Sequence, residues 1–221
     1  MQDKIPVYFM PGLAASSTIF ERIRLPENQF ECIFLEWSIP EEGETLTHYA
    51  KRMCIGIKRE NPVLVGVSFG GILVQEMAQF INPRMVIIIS SAKCNTEFPP
   101  RLKIAKRTRL YKLIPTTWLG KIENVARLPF TGKVKQRLHL YEKFLAMRDK
   151  KYLDWAIENV ILWDRCEPDE KVIHIHGDND AIFPAKYLKN FIPVAGGTHI
   201  MIINKYKWFN ENLPKIILNG S

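Results

Sequence analysis

The chain has 221 residues and a mass of 25.7 kDa, which suits one α/β domain with a modest insertion rather than three independent domains. Hydrophobic residues make up 47% and charged residues 24%, which excludes wholesale disorder and collagen-like structure, and no apolar run reaches the ~18–20 residues needed to cross a bilayer. The net charge is +8, and residues 97–165 carry all of the excess, with 16 of the 31 basic residues but only 7 of the 23 acidic ones.

Met1-Gln2-Asp3-Lys4 leads straight into a short apolar stretch. It lacks the charged start, long apolar middle and small-residue cleavage site of a secretory signal, so a cytoplasmic home is expected. Residues 5–10 read as a buried strand turned by Pro11-Gly12, and residues 32–37 (Cys-Ile-Phe-Leu-Glu-Trp) as a second. Leu46, Tyr49, Ala50, Met53, Cys54 and Ile57 recur at helical spacing, with Thr45 or Thr47 as cap. Residues 62–67 form a third strand, apolar enough to be buried on both faces. A helix follows over 72–81, ended by Asn82-Pro83. Strands at 85–89, 171–175 and 191–195 come next, and a terminal helix over 202–213 stops before Pro214. This alternation predicts a mostly parallel sheet with helices on both faces.

Residues 97–165 interrupt the alternation between the fourth and fifth strands. Tyr152, Trp155, Ala156, Asn159, Val160 and Trp163 form a helical stripe, and Pro99-Pro100, Pro115 and Pro129 divide the segment into pieces. Arg101, Lys103, Lys106, Arg107, Arg109 and Lys112 make a dense cationic stretch, either a solvated helical face or an attractor for a membrane surface or an anionic substrate. No zinc finger, RNP-type aromatic motif or helix-turn-helix spacing accompanies it, so no nucleic-acid partner is expected. The four cysteines, Cys32, Cys54, Cys94 and Cys166, are scattered, which predicts free buried or half-buried thiols rather than a metal site or a disulfide.

The chemistry is concentrated in Gly66-Val67-Ser68-Phe69-Gly70-Gly71, between a predicted strand and a predicted helix. A serine on so sharp a turn is strained, and glycines two residues to either side remove side chains that would collide. Its hydroxyl then projects above the sheet, with the Phe69 N–H at the helix start aimed where negative charge develops. A serine nucleophile needs a base oriented by a third group. The fifth strand runs into His176-Gly177-Asp178-Asn179-Asp180-Ala181-Ile182-Phe183-Pro184 and the sixth into Gly196-Gly197-Thr198-His199. In a parallel sheet these loops converge on one edge, giving Ser68, an aspartate and His199 in that chain order. Asp178, Asp180 and, after the fourth strand, Glu97 are the acids available. His174 and His176, two apart on one strand, read as strand packing rather than a metal pair. His48 and His139 carry no signal beyond surface or packing roles.

These motifs resemble the α/β-hydrolase superfamily over nearly the whole chain: the Pro11-Gly12-Leu13-Ala14-Ala15-Ser16 turn, the serine turn, the H-G-x-x-D-x-x-x-P stretch at 176–184 and G-G-x-H at 196–199. The resemblance implies a three-layer fold with a trimmed sheet of about six strands, lacking the usual N-terminal hairpin. It implies a core of residues 1–96 and 166–221, with 97–165 as a helical cap. It also implies Ser68 as nucleophile, His199 as base and Asp180 as orienting acid, with Asp178 and then Glu97 as alternatives. The backbone N–H groups of Leu13 and Phe69 would form the oxyanion hole. Where the family often has His-Gly at the first turn, this chain has Pro11-Gly12. The implied activity is hydrolysis of a small-molecule ester or thioester without metal or organic cofactor. Cap residues such as Trp118, Phe130, Leu138, Phe144, Leu145 and Trp155 would line an acyl pocket, and the basic cap would favour an anionic leaving group. Lyases and acyltransferases that use the same triad, and relatives that only bind ligands, are the alternatives.

Overall fold

The structure is a computed structural model that describes residues 4–113, 116 and 144–220. Six strands, β1 (Ile5–Met10), β2 (Phe30–Phe34), β3 (Val63–Val67), β4 (Met85–Ile89), β5 (Ile173–Gly177) and β6 (Ile192–Val194), form one sheet in the order β2-β1-β3-β4-β5-β6. Every pairing is parallel. Around it lie α1 (Leu46–Met53), α2 (Phe69–Met77), α3 (Pro100–Thr108), α4 (Lys150–Leu162), α5 (Met201–Asn204) and α6 (Tyr206–Asn219).

The central strands β3 and β4 are apolar throughout because both faces are covered. Tyr8, Met10, Leu64, Val86 and Ile88 pack with Tyr49 and Ala50 of α1, Ile72, Leu73 and Met77 of α2, and Tyr152 and Ala156 of α4. Their neighbours Val7, Phe9, Val65, Ile87 and Ile89 pack on the other face with Phe20, Met201, Phe209, Leu213 and Ile217. The chain leaves β1 for β2 on one side and returns to β3 on the other, so the strand order reverses beside β1, where such sheets hold their ligands. Met10 is in register with Gly66, which brings the turns that follow, at Gly12 and at Ser68, side by side.

Several boundaries differ from expectation. β2 ends at Phe34 rather than 37, because Trp37 turns inward to pack on Phe69 and to bond the Gly12 carbonyl. α1 is capped by Thr45, whose Oγ1 accepts from the His48 amide at 3.2 Å, and ends in a 3-10 turn, Cys54–Gly56. α2 begins at Phe69 rather than 72 and stops at Met77 rather than 81. β5 is displaced to Ile173–Gly177, because residues 169–172 are spent on a turn closed by Val172 N–H to Asp169 O. The last helix does not stop before Pro214 but runs through it to Asn219. Burial of Phe209, Leu213 and Ile217 on the sheet offsets a proline cost of about 3 kcal/mol.

In the segment between β4 and β5, α4 seats Tyr152, Leu153 and Ala156 against the core. Two lysines of α3 stay exposed but are tied to backbone carbonyls. Lys103 Nζ donates to the Thr96 carbonyl at 3.0 Å, and Lys106 Nζ to the Leu162 and Trp163 carbonyls at 3.3 and 3.4 Å, closing the end of α4. Among the described residues no helix is long and apolar enough to cross a membrane. Cys32 and Cys54 are half-buried and Cys94 is buried, whereas Cys166 is exposed.

Candidate active site

Ser68 sits between β3 and α2 with φ 52° and ψ −118°, a region that disfavours any residue with a Cβ. The glycines around it are sterically required. A Cβ at Gly66 would fall on the Gly70 backbone, and one at Gly70 would fall on the carbonyls of Pro11 and Met10. The turn is held by Ser68 N–H to Ile89 O at 2.9 Å and by Ser91 Oγ to Ser68 O at 2.8 Å. Phe69 is the first helical residue, so its N–H has no partner within the helix.

His199 and Asp180 arrive from the loops after β6 and β5. His199 Nε2 lies 3.0 Å from Ser68 Oγ, and His199 Nδ1 lies 2.9 Å from Asp180 Oδ2. The second carboxylate oxygen of Asp180 accepts the amides of Ile182 at 2.7 Å and Phe183 at 3.0 Å. Burial acts to raise the Asp180 pKa, but the His199 hydrogen bond and charge and the two amides outweigh it and hold the carboxyl below its ordinary value. A buried carboxylate can only accept, so Nδ1 of His199 carries a proton and Nε2 is left to accept from the serine hydroxyl. The imidazole is partly exposed while the carboxylate is fully enclosed.

The architecture matches solved structures over essentially its full length. A thermophilic esterase from Thermogutta terrifontis superposes with a TM-score of 0.65 at 16% identity, covering 98% of this chain and 90% of that one. A carboxylesterase structure from the thaumarchaeon Nitrososphaera gargenis gives 0.67 at 14%, covering 98% and 91%. A bromoperoxidase from Bacillus anthracis gives 0.63 at 17%, covering 98% and 92%. The chain has the α/β-hydrolase fold. No family model and no curated protein matches the sequence.

Within this α/β-hydrolase fold the other acids lie elsewhere. Asp178 is exposed and accepts the Gly196 amide at 2.7 Å, tying the loops after β5 and β6 together. Glu97 is buried and accepts the amides of Lys93 at 2.7 Å and Lys189 at 3.2 Å, and burial pushes its pKa up. His48 is exposed on α1. Trp118, Phe130, Leu138 and His139 lie outside the described residues. Trp155 is half-buried. Its indole donates to Glu44 O at 2.6 Å, and its ring meets Tyr49 at 4.5 Å and Phe69 at 5.9 Å. Leu13 is half-buried, one residue after Gly12, whose Cβ, were there one, would stand 3.4 Å from Ser68 Cβ.

Three features here go beyond the sequence reading, the first within the His174–His176 strand packing that the pattern predicts. His176 Nε2 lies 2.8 Å from the Phe183 carbonyl, which only accepts, so that nitrogen carries the proton. Its Nδ1 then accepts from His174 Nε2 at 3.1 Å. The pair is buried, and burial first of all lowers both pKa values, that of His174 strongly. The second feature is Arg101, whose Nη2 donates to the carbonyls of Ala181 and Ile182 beside Asp180. The third is the grip of Trp37 and Tyr152 on the turn after β1. A groove of about 680 Å³ at the opposite end of the strands is lined by Lys4, Glu31, Arg59 and Arg84 and contains none of these site residues.

Proposed function

We propose that the chain is a serine hydrolase that cleaves a carboxylic ester or thioester of a small molecule through an acyl-enzyme on Ser68. The observation that carries this reading is the unbroken path from Asp180 through both nitrogens of His199 to Ser68 Oγ, at 2.9 and 3.0 Å, with the serine on a strained turn. The esterase structures that share the fold agree with it.

In this scheme His199 Nε2 takes the hydroxyl proton as Ser68 Oγ bonds to the substrate carbonyl carbon, and Asp180 stabilises the imidazolium. The carbonyl oxygen becomes an oxyanion held by the Leu13 and Phe69 N–H groups, each worth about 3 kcal/mol. As the tetrahedral centre collapses, the bond to the alcohol or thiol breaks and His199 returns the proton to that leaving group. Water then attacks the acyl-enzyme, losing a proton to His199. The acid departs and Ser68 is reprotonated. Residues 1–96 and 166–221 serve as core and 97–165 as cap in this reading, with Phe144 and Leu145 on its described edge.

The test is reaction with a fluorophosphonate probe and a panel of acyl esters and thioesters varied in chain length and charge. Wild type is compared with Ser68→Ala. Labelling and turnover that disappear in Ser68→Ala support the assignment. Folded wild type that neither labels nor turns over any member of the panel overturns it in favour of a ligand-binding protein.

A further inference from the structure

We propose that Trp37 is a positioning residue for the chemistry at Ser68, its indole N–H fixing the Gly12–Leu13 peptide so that the Leu13 N–H faces the developing oxyanion. This deepens the hydrolase reading and rests on it. Beyond the end of β2, Trp37 is carried inward until 5% of it is exposed. Its Nε1 donates to the Gly12 carbonyl at 2.8 Å. That carbonyl belongs to the same trans peptide as the Leu13 N–H, and in a planar trans peptide the two groups point in opposite directions. Holding the carbonyl toward Trp37 therefore turns the Leu13 N–H away from it, in a peptide that stands against Ser68.

The same side chain also supports the second donor. The Trp37 ring stacks on Phe69 with centroids 4.9 Å apart and planes 7° from parallel, and the Phe69 N–H opens α2. One indole thus bonds the carbonyl of the Gly12–Leu13 peptide and stacks on the side chain of Phe69. On the far side of Leu13, Ala14 is held in the left-handed region at φ 63°. Its N–H is received by Tyr152 Oη at 3.3 Å, and its carbonyl accepts the Met147 N–H at 3.0 Å. Ala15 N–H closes the turn onto the Gly12 carbonyl at 3.1 Å. With Ala14 clamped by Tyr152 and Met147, the shorter Trp37 bond, beside that of the Ala15 N–H, fixes the tilt of the remaining peptide. Tyr152 and Trp37 themselves pack with ring centroids 5.4 Å apart.

The experiment replaces Trp37 with 3-benzothienylalanine, which keeps the bicyclic ring and deletes only the N–H, beside the simpler Trp37→Phe. Removing an oxyanion donor costs about a hundredfold or more in kcat, so mis-aiming one is expected to cost about tenfold or more with KM within about twofold. Concentrations are normalised by titrating Ser68 with the fluorophosphonate, so that a loss of folded protein is not counted as a loss of rate. A loss confined to kcat in the benzothienyl variant supports the proposal, even where Trp37→Phe fails to fold. Wild-type kcat in that variant, or a loss confined to KM, overturns it and leaves the hydrolase reading standing. A wild type that fails to label overturns both.

Discussion

Arg101 on α3 donates through a single nitrogen, Nη2, to the carbonyl oxygens of Ala181 and Ile182, at 2.5 and 2.6 Å. The start of the segment between β4 and β5 is thereby tied to the loop that carries Asp180. Arg101→Met is expected to loosen that loop and lower kcat/KM about fivefold, the effect of roughly 1 kcal/mol for a charged but exposed hydrogen bond. Its cation faces carbonyls here, so the deficit should be the same for neutral and anionic esters of equal chain length. A deficit seen only with anionic substrates would assign Arg101 to substrate binding instead.

The Ser68 backbone conformation opposes stability to activity. At φ 52° and ψ −118° a non-glycine residue costs about 1–3 kcal/mol. Ser68→Gly is therefore expected to stabilise the fold by about 1 kcal/mol after the extra chain entropy of glycine is counted, and to abolish turnover. Ser68→Ala should abolish turnover without that gain. Chemical denaturation of the three proteins checks the order.

The buried His174–His176 pair makes stability depend on pH. Both folded-state pKa values lie below the unfolded value near 6.5, chiefly through burial. The unfolded chain therefore binds more protons below that pH, and the pair's contribution, fully present above it, is lost as pH falls toward the folded values. Stability is expected to drop by at most about 1.4 kcal/mol per pH unit for each histidine below pH ~6.5. His174→Phe should flatten that slope by up to one proton's worth. Denaturant midpoints measured at intervals from neutral to mildly acidic pH provide the reading, and an unchanged slope would remove the linkage.

The two aspartates after β5 should separate cleanly. Asp180→Asn leaves the loop amides with an acceptor but denies His199 its charged partner, so kcat is expected to fall about a thousandfold or more. Asp178→Asn keeps an oxygen for the Gly196 amide on an exposed turn and is expected to stay within about twofold of wild type in kcat/KM. Steady-state kinetics on one ester decides between them.

What could be read from the chain was what neighbouring residues encode together. Apolar runs such as 63–67 and 85–89 are central strands because both faces are covered, and that shows in the sequence as uninterrupted hydrophobicity. The strained serine between Gly66 and Gly70 is only partly local: a Cβ at Gly66 meets the Gly70 backbone, whereas one at Gly70 meets the carbonyls of Met10 and Pro11 on a distant strand end. Trp37 was misread for the opposite reason. An aromatic residue at the end of an apolar run looks like strand, and nothing nearby reveals that its N–H is committed to Gly12, 25 residues upstream. Pro214 misled in the same way, since the burial that carries the helix through it comes from a distant sheet.

By itself, then, the sequence determined the order of elements, the serine turn and the convergence of three loops, because backbone sterics and hydrophobic periodicity act over a few residues. The acid partner of His199 was named as Asp180 through the family resemblance, whereas how the peptide after Gly12 is tilted and where Arg101 spends its charge were decided only by the tertiary structure. Those are contacts between side chains and backbone groups far apart in the chain, where an N–H or a carbonyl is the same for every residue and leaves no imprint on the sequence.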